Sequence, residues 1–281
     1  MIVQKDKSNT IIKSYPSLDE ASKDTKIAKS DIKRVTLGQR KTTGGFIFEE
    51  IENKLPFPFL GGNPDNVLFV GDLHAPWMLE GYIEWCREQQ ERYNCGTVIF
   101  AGDILDSNAW SYHEKDADGM SVKEELNAAK EQLKKVFQLF PTAISLLGNH
   151  DLLIKRKAKT IGLSQEFLKD FNEIIGAPKT WSFVNEYVKD NVMYIHGSVG
   201  DAFKRATESR ISTCQGHLHT KTFVQWSVSE KDAIFGLQIG GGFDRRKYAF
   251  DYAKEFPKKP VISCGVILEN GKLPFVKLMP L

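Results

Sequence analysis

Long apolar runs are missing from this 281-residue chain. Nowhere do about 18 apolar residues follow one another, so no membrane span is expected. The opening Met1-Ile2-Val3-Gln4-Lys5-Asp6-Lys7 has no apolar stretch, and no signal peptide is expected either. Cysteine is sparse as well: Cys86, Cys95, Cys214 and Cys264 are widely scattered with no C-x-x-C pair. That argues against a thiolate zinc site or a dense disulfide framework, and for reduced thiols in a cytoplasm. Internal repeats and low-complexity tracts are also lacking. With 41% hydrophobic and 26% charged residues the chain can bury a sizeable core, which excludes disorder, collagen and coiled coil.

Little net charge remains overall, a formal +2, but it is unevenly spread. Residues 1–45 hold ten Lys or Arg against five acids, a net +5, so the other 236 residues sum to −3. A basic head on a mildly acidic body implies two functional units, with the head the candidate for contact with a polyanion. Between them, Glu52 to Pro64 carries three prolines and two glycines, which disfavour a continuous helix or strand. The expected division is therefore a module over 1–50, a linker over 51–64 and a larger domain over 65–281.

In the body, buried-strand patterns alternate with amphipathic helical ones: strand at Val67–Val70, helix at Met78–Tyr93, strand at Thr97–Ala101, helix at Val122–Phe140, strand at Thr142–Leu147. This βαβαβ start predicts an α/β fold. Further on, Val192–Ile195, Thr213–Gln215, Thr222–Ser227, Ala233–Ile239, Val261–Leu268 and Phe275–Leu278 read as strands with few helices between, which predicts a second sheet. Trp85, on the first helix, is expected in the core.

The strands run into polar motifs, at the place where open α/β sheets hold their ligands. They are Gly71-Asp72-Leu73-His74, Gly102-Asp103-Ile104-Leu105-Asp106, Gly148-Asn149-His150-Asp151, His196-Gly197 and Gly216-His217-Leu218-His219. Five of the six histidines fall in these blocks; the sixth, His113, sits in the loop after Asp103. In extended chain Asp72 and His74 project to one side and Leu73 to the other. Carboxylate, imidazole and an Asn carbonyl form a mixed oxygen and nitrogen donor set suited to Mn, Fe, Zn or similar divalent ions, without choosing among them. Such a centre attracts phosphate and lowers the pKa of bound water, so phosphoryl hydrolysis is the natural chemistry.

These five blocks, in this order across about residues 66–220, resemble the signature of the calcineurin-like metallophosphoesterases: D-x-H, G-D-x-x-D, G-N-H-D/E, H and G-H-x-H. The resemblance implies two facing mixed sheets flanked by helices. It implies one metal on Asp72, His74 and His219, a second on Asn149, His196 and His217, and Asp103 bridging both. Hydrolysis would proceed by attack of a hydroxide held between the ions. His150 would protonate the leaving oxygen or steady the phosphoryl charge, with Asp151 orienting its ring, and Asp106 would stand behind the ligands. In the protein Ser/Thr phosphatase branch the second block continues with Arg and Gly, whereas Ser107-Asn108-Ala109-Trp110 follow here, which disfavours a protein phosphatase. A replacement phosphate clamp is sought in Lys155-Arg156-Lys157-Ala158-Lys159, chiefly Arg156 and Lys157, in His113, and more remotely in Arg245 and Arg246; the other reading of the lysine-rich stretch is a solvated basic loop. Trp77, Trp110, Tyr112 and His113 could line a nucleobase, although packing in core or rim is expected for each.

In the head, Ser17 and Glu20 suggest a capping box opening a short helix to about Lys26, and Ser30 a second cap for a helix closed by Gly38. Two short helices, the second carrying cations, are what a helix-turn-helix presents to DNA. The wording Ser17-Leu18-Asp19-Glu20-Ala21 and Gly38-Gln39-Arg40-Lys41-Thr42-Thr43-Gly44-Gly45-Phe46 is similar to the nuclease-associated modular domain of homing endonucleases, many of them phage-encoded. That resemblance implies Ser30, Lys33 and Arg34 facing DNA, with Arg40 and Lys41 on phosphates. The expectation is a two-metal phosphoesterase of the cytoplasm, a host's if phage-encoded, acting on DNA or nucleotides and making no use of a membrane. The alternatives are a small-molecule phosphatase or cyclic-nucleotide phosphodiesterase, and a DNA-binding regulatory protein with a structural metal centre.

Overall fold

A computed structural model describes residues 2–8, 10–15, 18–50, 59, 61–112, 119–244, 246 and 259–280. The chain divides into two compact units, 1–55 and 56–281. In the first unit, strands β1 (Ile2–Lys5), β2 (Ile11–Tyr15) and β3 (Ile47–Glu50) form an antiparallel sheet in the order β2-β1-β3. Helices α1 (Leu18–Thr25) and α2 (Lys29–Thr36) lie between β2 and β3 in sequence. Ala21, Ile32 and Val35 from the helices meet Ile2, Tyr15 and Phe48 from the strands in one small core. The two helices were expected, but the sheet was not.

The N-terminal end of α2 also differs from expectation. Ala28 is its N-cap with no side-chain bond, and Ser30 lies inside the first turn; Ser17 lies outside the described residues. At the other end Gly38 does close the helix, at φ +70°. Its N–H donates to the Val35 carbonyl, and the N–H of Gln39 to that of Arg34, a pattern that needs a left-handed residue at this point.

The second unit is built on two mixed sheets. The larger has six strands: β4 (Asn63–Val70), β5 (Cys95–Phe100), β6 (Ala143–Leu146) and β7 (Trp181–Val184) run parallel, while β13 (Ser263–Leu268) and β14 (Leu273–Leu278) add antiparallel strands beside β4. The smaller has five: β9 (Val192–Ile195), β10 (Ser212–Gln215) and β12 (Ala233–Gln238) run parallel between antiparallel edges β8 (Glu186–Lys189) and β11 (Phe223–Val228).

Alternation along β4 explains why the sheets face one another. Val67 and Phe69 join Ile99, Leu146, Tyr194, Phe235 and Leu237 in a core drawn from both sheets. Leu68 and Val70, on the other face, pack with Ile83 and Cys86 of α3 (Tyr82–Arg92) and with Leu133 and Val136 of α4 (Val122–Leu139). Helix α4 buries Ala129, Leu133 and Val136, spaced as one helical stripe, and Ser121 and Glu124 form a capping box at its start.

Some elements depart from the sequence reading. Helix α3 starts at Tyr82, not Met78, because Gly81 adopts φ +83° immediately before it. Trp85 is half-buried against the core rather than within it. The lysine-rich stretch, for which a phosphate clamp and a solvated loop were the two readings, is helix α5 (Leu153–Thr160), and α6 (Phe171–Ile175) and α7 (Ala202–Ser209) are further helices. Strands β7 and β8 were also unforeseen.

Tyr82 links the end of β4 to β13. Its fully buried hydroxyl accepts the N–H of Gly71 at 2.9 Å and donates to the Ser263 carbonyl at 2.8 Å. Tyr82→Phe leaves both backbone groups unpaired and is expected to cost about 1–3 kcal/mol in a urea melt; an unchanged midpoint would contradict the link.

Candidate functional site

Parallel strands deliver the polar motifs to one end of the two sheets. Asp72 and His74 follow β4, Asp103 and Asp106 follow β5, Asn149 to Asp151 follow β6, His196 follows β9, and His217 and His219 follow β10. Three of these residues have left-handed backbones although none is glycine: His74 at φ +48°, Asp103 at +45° and His217 at +63°. Such conformations persist only where neighbours hold them. Here the N–H groups of Leu73 and His74 both donate to the Asp103 carbonyl, at 3.1 and 2.9 Å, and the N–H of His217 donates to Asp72 Oδ2 at 2.9 Å.

Donor atoms gather in two groups that share one residue. Asp72, His74, Asp103 and His219 can place one ligand atom each within 4.8 Å of one another, and so can Asp103, His196 and His217. Asn149 Oδ1 lies 3.0 Å from His196 Nε2, which brings it to the second group. A further group, His74, Asp106 and His150, adjoins the first.

Tautomers follow from the outer bonds. His74 Nδ1 lies 2.8 Å from Asp106 Oδ1, so that nitrogen carries the proton and Nε2 is left bare, 3.2 Å from His219 Nε2. His196 Nδ1 faces the Ala101 carbonyl at 2.9 Å, which leaves its Nε2 pointing at two oxygen acceptors, Asn149 Oδ1 and Asp103 Oδ2, the latter at 3.2 Å. Lone pairs converging in this way need a cation or extra protons between them. Asp72 Oδ1 is buried without a hydrogen-bond partner among the described residues. A buried orphan carboxylate oxygen among bare imidazoles and an amide oxygen fits divalent metal ions of the Mn, Fe or Zn type.

Without metal the charges are balanced by the histidines. Burial works against the charge on Asp103, yet His196, His150 and His74 hold its carboxyl well below the usual range. Burial likewise opposes ionisation of Asp72, and His219 and His196 lower it nonetheless. His196 is desolvated too, but the Asp103 and Asp72 carboxylates push it up to about 10. Burial lowers His74 and His217.

Asp106 adjoins the donor cluster, accepting from Trp77 Nε1 at 3.1 Å as well as meeting His74. For Asp151, expected to orient the His150 ring, the structure shows backbone partners. Its oxygens accept the backbone N–H groups of Leu105 and Gly148, at 3.1 and 3.0 Å, so it ties the two ligand loops together, while the ring of His150 bonds through Nδ1 to the Asp106 carbonyl. Burial raises Asp151 to about 7, and the Asp103 carboxylate adds to this. Phe243, buried and edge-on to the rings of both His74 and His219, was missed, because nothing local in sequence marks an aromatic that packs under ligands.

The basic residues sought as a clamp have partners of their own. Lys157 Nζ donates to the Ser111 carbonyl at 3.0 Å and lies over the Tyr112 ring, as does the Arg156 guanidinium. Arg246 pairs with Asp244, while His113 and Arg245 lie outside the described residues. Trp77 is buried, and Tyr112 is 56% exposed on the rim. In the separate first unit Ser30, Lys33 and Lys41 are exposed, and Arg34 and Arg40 both lean on Asp31, at 3.7 and 3.6 Å.

Gly148 has no room for a side chain: a Cβ there would overlap the Asp103 carboxylate and its backbone nitrogen. Gly148→Ala is expected to displace Asp103 and weaken metal binding by about 10- to 100-fold while the chain stays folded, read by metal titration beside circular dichroism. Unchanged affinity would contradict the placement of Asp103.

A family model described as calcineurin-like phosphoesterase matches residues 66–236. Among solved structures the chain is similar to a single mutant of Vps29 from Entamoeba histolytica, with 13% identity, a TM-score of 0.35, and coverage of 75% of this chain and 89% of that one. No curated protein matches it. The family match takes in more than half of the chain and every residue of both donor groups, and the chain therefore belongs to the calcineurin-like phosphoesterases, metal-dependent hydrolases of phosphate esters that work with two divalent ions.

Proposed function

We propose that the protein is a phosphodiesterase or nuclease of the cytoplasm that acts on DNA or nucleotides, its body carrying the chemistry and its basic head contacting DNA. The observation that carries the catalytic part is the sharing of Asp103 between two donor groups. Asp72, His74 and His219 would hold one ion, Asn149, His196 and His217 the other, and Asp103 both. Bound there, the pair of ions neutralises phosphate charge and supplies a water-derived nucleophile near neutral pH.

His150 then has a role its own bonds support. With Nδ1 donating to the Asp106 carbonyl, Nε2 is the ring atom free for substrate. Burial disfavours its charge, but the Asp103 and Asp106 carboxylates raise its pKa, which suits a group that hands a proton to a leaving oxygen. Asp151 would position the loop that bears it through the N–H groups of Leu105 and Gly148.

For the head, the support is a net charge of +5 over residues 1–45 and the exposure of the polar and cationic side chains of Ser30, Lys33 and Lys41 on and after α2. Arg34 and Arg40 would reach phosphates by leaving Asp31, an exchange that exposed ion pairs permit because they are worth little.

Two measurements test these assignments. The full chain supplied with Mn, Zn or Mg is expected to cleave labelled DNA and an aryl phosphodiester, His150→Ala to lose about 100-fold or more in kcat, and Asp103→Asn to lose metal and activity together. Hydrolysis of aryl monoesters alone would point instead to a small-molecule phosphatase, and full activity in His150→Ala would remove that residue from the chemistry. In DNA binding, Lys33→Ala combined with Lys41→Ala should reduce the slope of log affinity against log salt by about 2; an unaltered slope would take DNA contact away from the head.

A further inference from the structure

Beside His196 the body holds a cavity of about 250 Å³ whose other lining residues the ligand assignments do not use. Gly197, Ser198, Asn185, Gln215 and Arg205 line it together with His196 itself. Gln215 is fixed, donating from Nε2 to the Gly200 carbonyl at 3.0 Å. Ser198, Asn185 and Arg205 are exposed, and none of their side chains has a partner among the described residues.

Arg205 is the unusual member. It sits on α7, whose acids are engaged elsewhere: Asp201 caps the helix and pairs with Lys221 at 3.1 Å, and Glu208 lies 3.9 Å from Lys204. Among the described residues its guanidinium meets no carboxylate, whereas Lys204, Lys221 and Arg210 each pair with one. An unneutralised guanidinium with a hydroxyl and an amide around one hollow offers a forked set of donors, matched in shape and charge to a phosphate. The hollow shares His196 with the donor cluster, so a phosphate held there would neighbour the one being hydrolysed.

We propose that this cavity is a subsite for the phosphate adjacent to the scissile one, with Arg205 as its specificity-determining residue, so that the substrate is a chain of successive phosphodiesters and not an isolated ester. This rests on the phosphoesterase reading of the neighbouring cluster and narrows its substrate class to oligonucleotides.

The test uses the full chain with Mn and four compounds: an aryl phosphodiester, the dinucleotide of two thymidines joined by one phosphate, and that dinucleotide with an added 5′ or 3′ terminal phosphate. One of the two phosphorylated forms is expected to show a KM about tenfold below that of the plain dinucleotide. Arg205→Ala should erase that difference while leaving the aryl ester and the plain dinucleotide unchanged, and Arg205→Lys should restore part of it. No preference in the parent chain, a preference that survives Arg205→Ala, or an equal fall on all four compounds would each overturn the subsite. Calorimetric binding of the same dinucleotides, which needs no turnover, separates the two claims. Tighter binding of a phosphorylated form through Arg205 without any hydrolysis would uphold phosphate recognition in the cavity and sink the nuclease reading. Hydrolysis with equal binding of all the dinucleotides would sink the subsite alone.

Discussion

Two carboxylates, Asp72 and Asp103, are fully buried at the ends of neighbouring parallel strands, and the rest of the centre exists to offset them. Burying an ionised carboxylate costs several kcal/mol or more unless charges and hydrogen bonds compensate. Here the compensation comes from five sides: the N–H of His217 and the ring of His219 on Asp72, the N–H of His150 and the ring of His196 on Asp103, and His74 between the two. The left-handed backbones of His74, Asp103 and His217 are the conformational cost of turning those groups inward. Divalent ions satisfy the same requirement with fewer protons, which links the buried charge to the chemistry of the family.

The arrangement depends on both sheets at once. Asp72 and Asp103 come from the larger sheet, His196, His217 and His219 from the smaller, and the core between them, with Phe69, Leu146, Tyr194 and Leu237, sets their spacing. Close-packed interiors yield little, so ligands from opposite sheets are held to the same tolerance as ligands from one loop. Glycines at the crossing points serve the same end: Gly148 beside Asp103 and Gly216 beside Asp72 leave no space for a Cβ. Asp151 joins the loops after β5 and β6 by accepting from Leu105 and Gly148, so a side chain read from its motif as a partner of His150 acts on the backbone that carries it.

What could be read without a structure was what is local. The five motifs each sit within a few residues after a strand, and their donor types dictate the chemistry, so the members of both donor groups were identifiable from order and residue type. The strands β4, β5, β6, β9 and β12 were legible because they carry short apolar runs bounded by glycine or by polar residues. Helix α5 was not, since Leu153 and Ala158 are its only buried residues and its lysines mask the period. The sheet of the first unit escaped because β1 and β3 have four residues each and their partners lie far apart in sequence. Ser30 looked like a cap because serine favours that position, yet the helix begins at Lys29 and packs by Ile32 and Val35, whose burial decides its start and phase. Phe243 under the histidines and Arg205 in its hollow take their meaning from contacts across the fold, which no spacing rule conveys.

The central claim is that the two donor groups hold a pair of ions joined by Asp103. Anomalous diffraction from crystals of the full chain grown with Mn tests it most directly. The account predicts two anomalous peaks per chain, about 3.5–4 Å apart, with Asp103 between them and Asp72 Oδ1 on one. A single peak, or two peaks on either side of an Asp103 that touches neither, would contradict it.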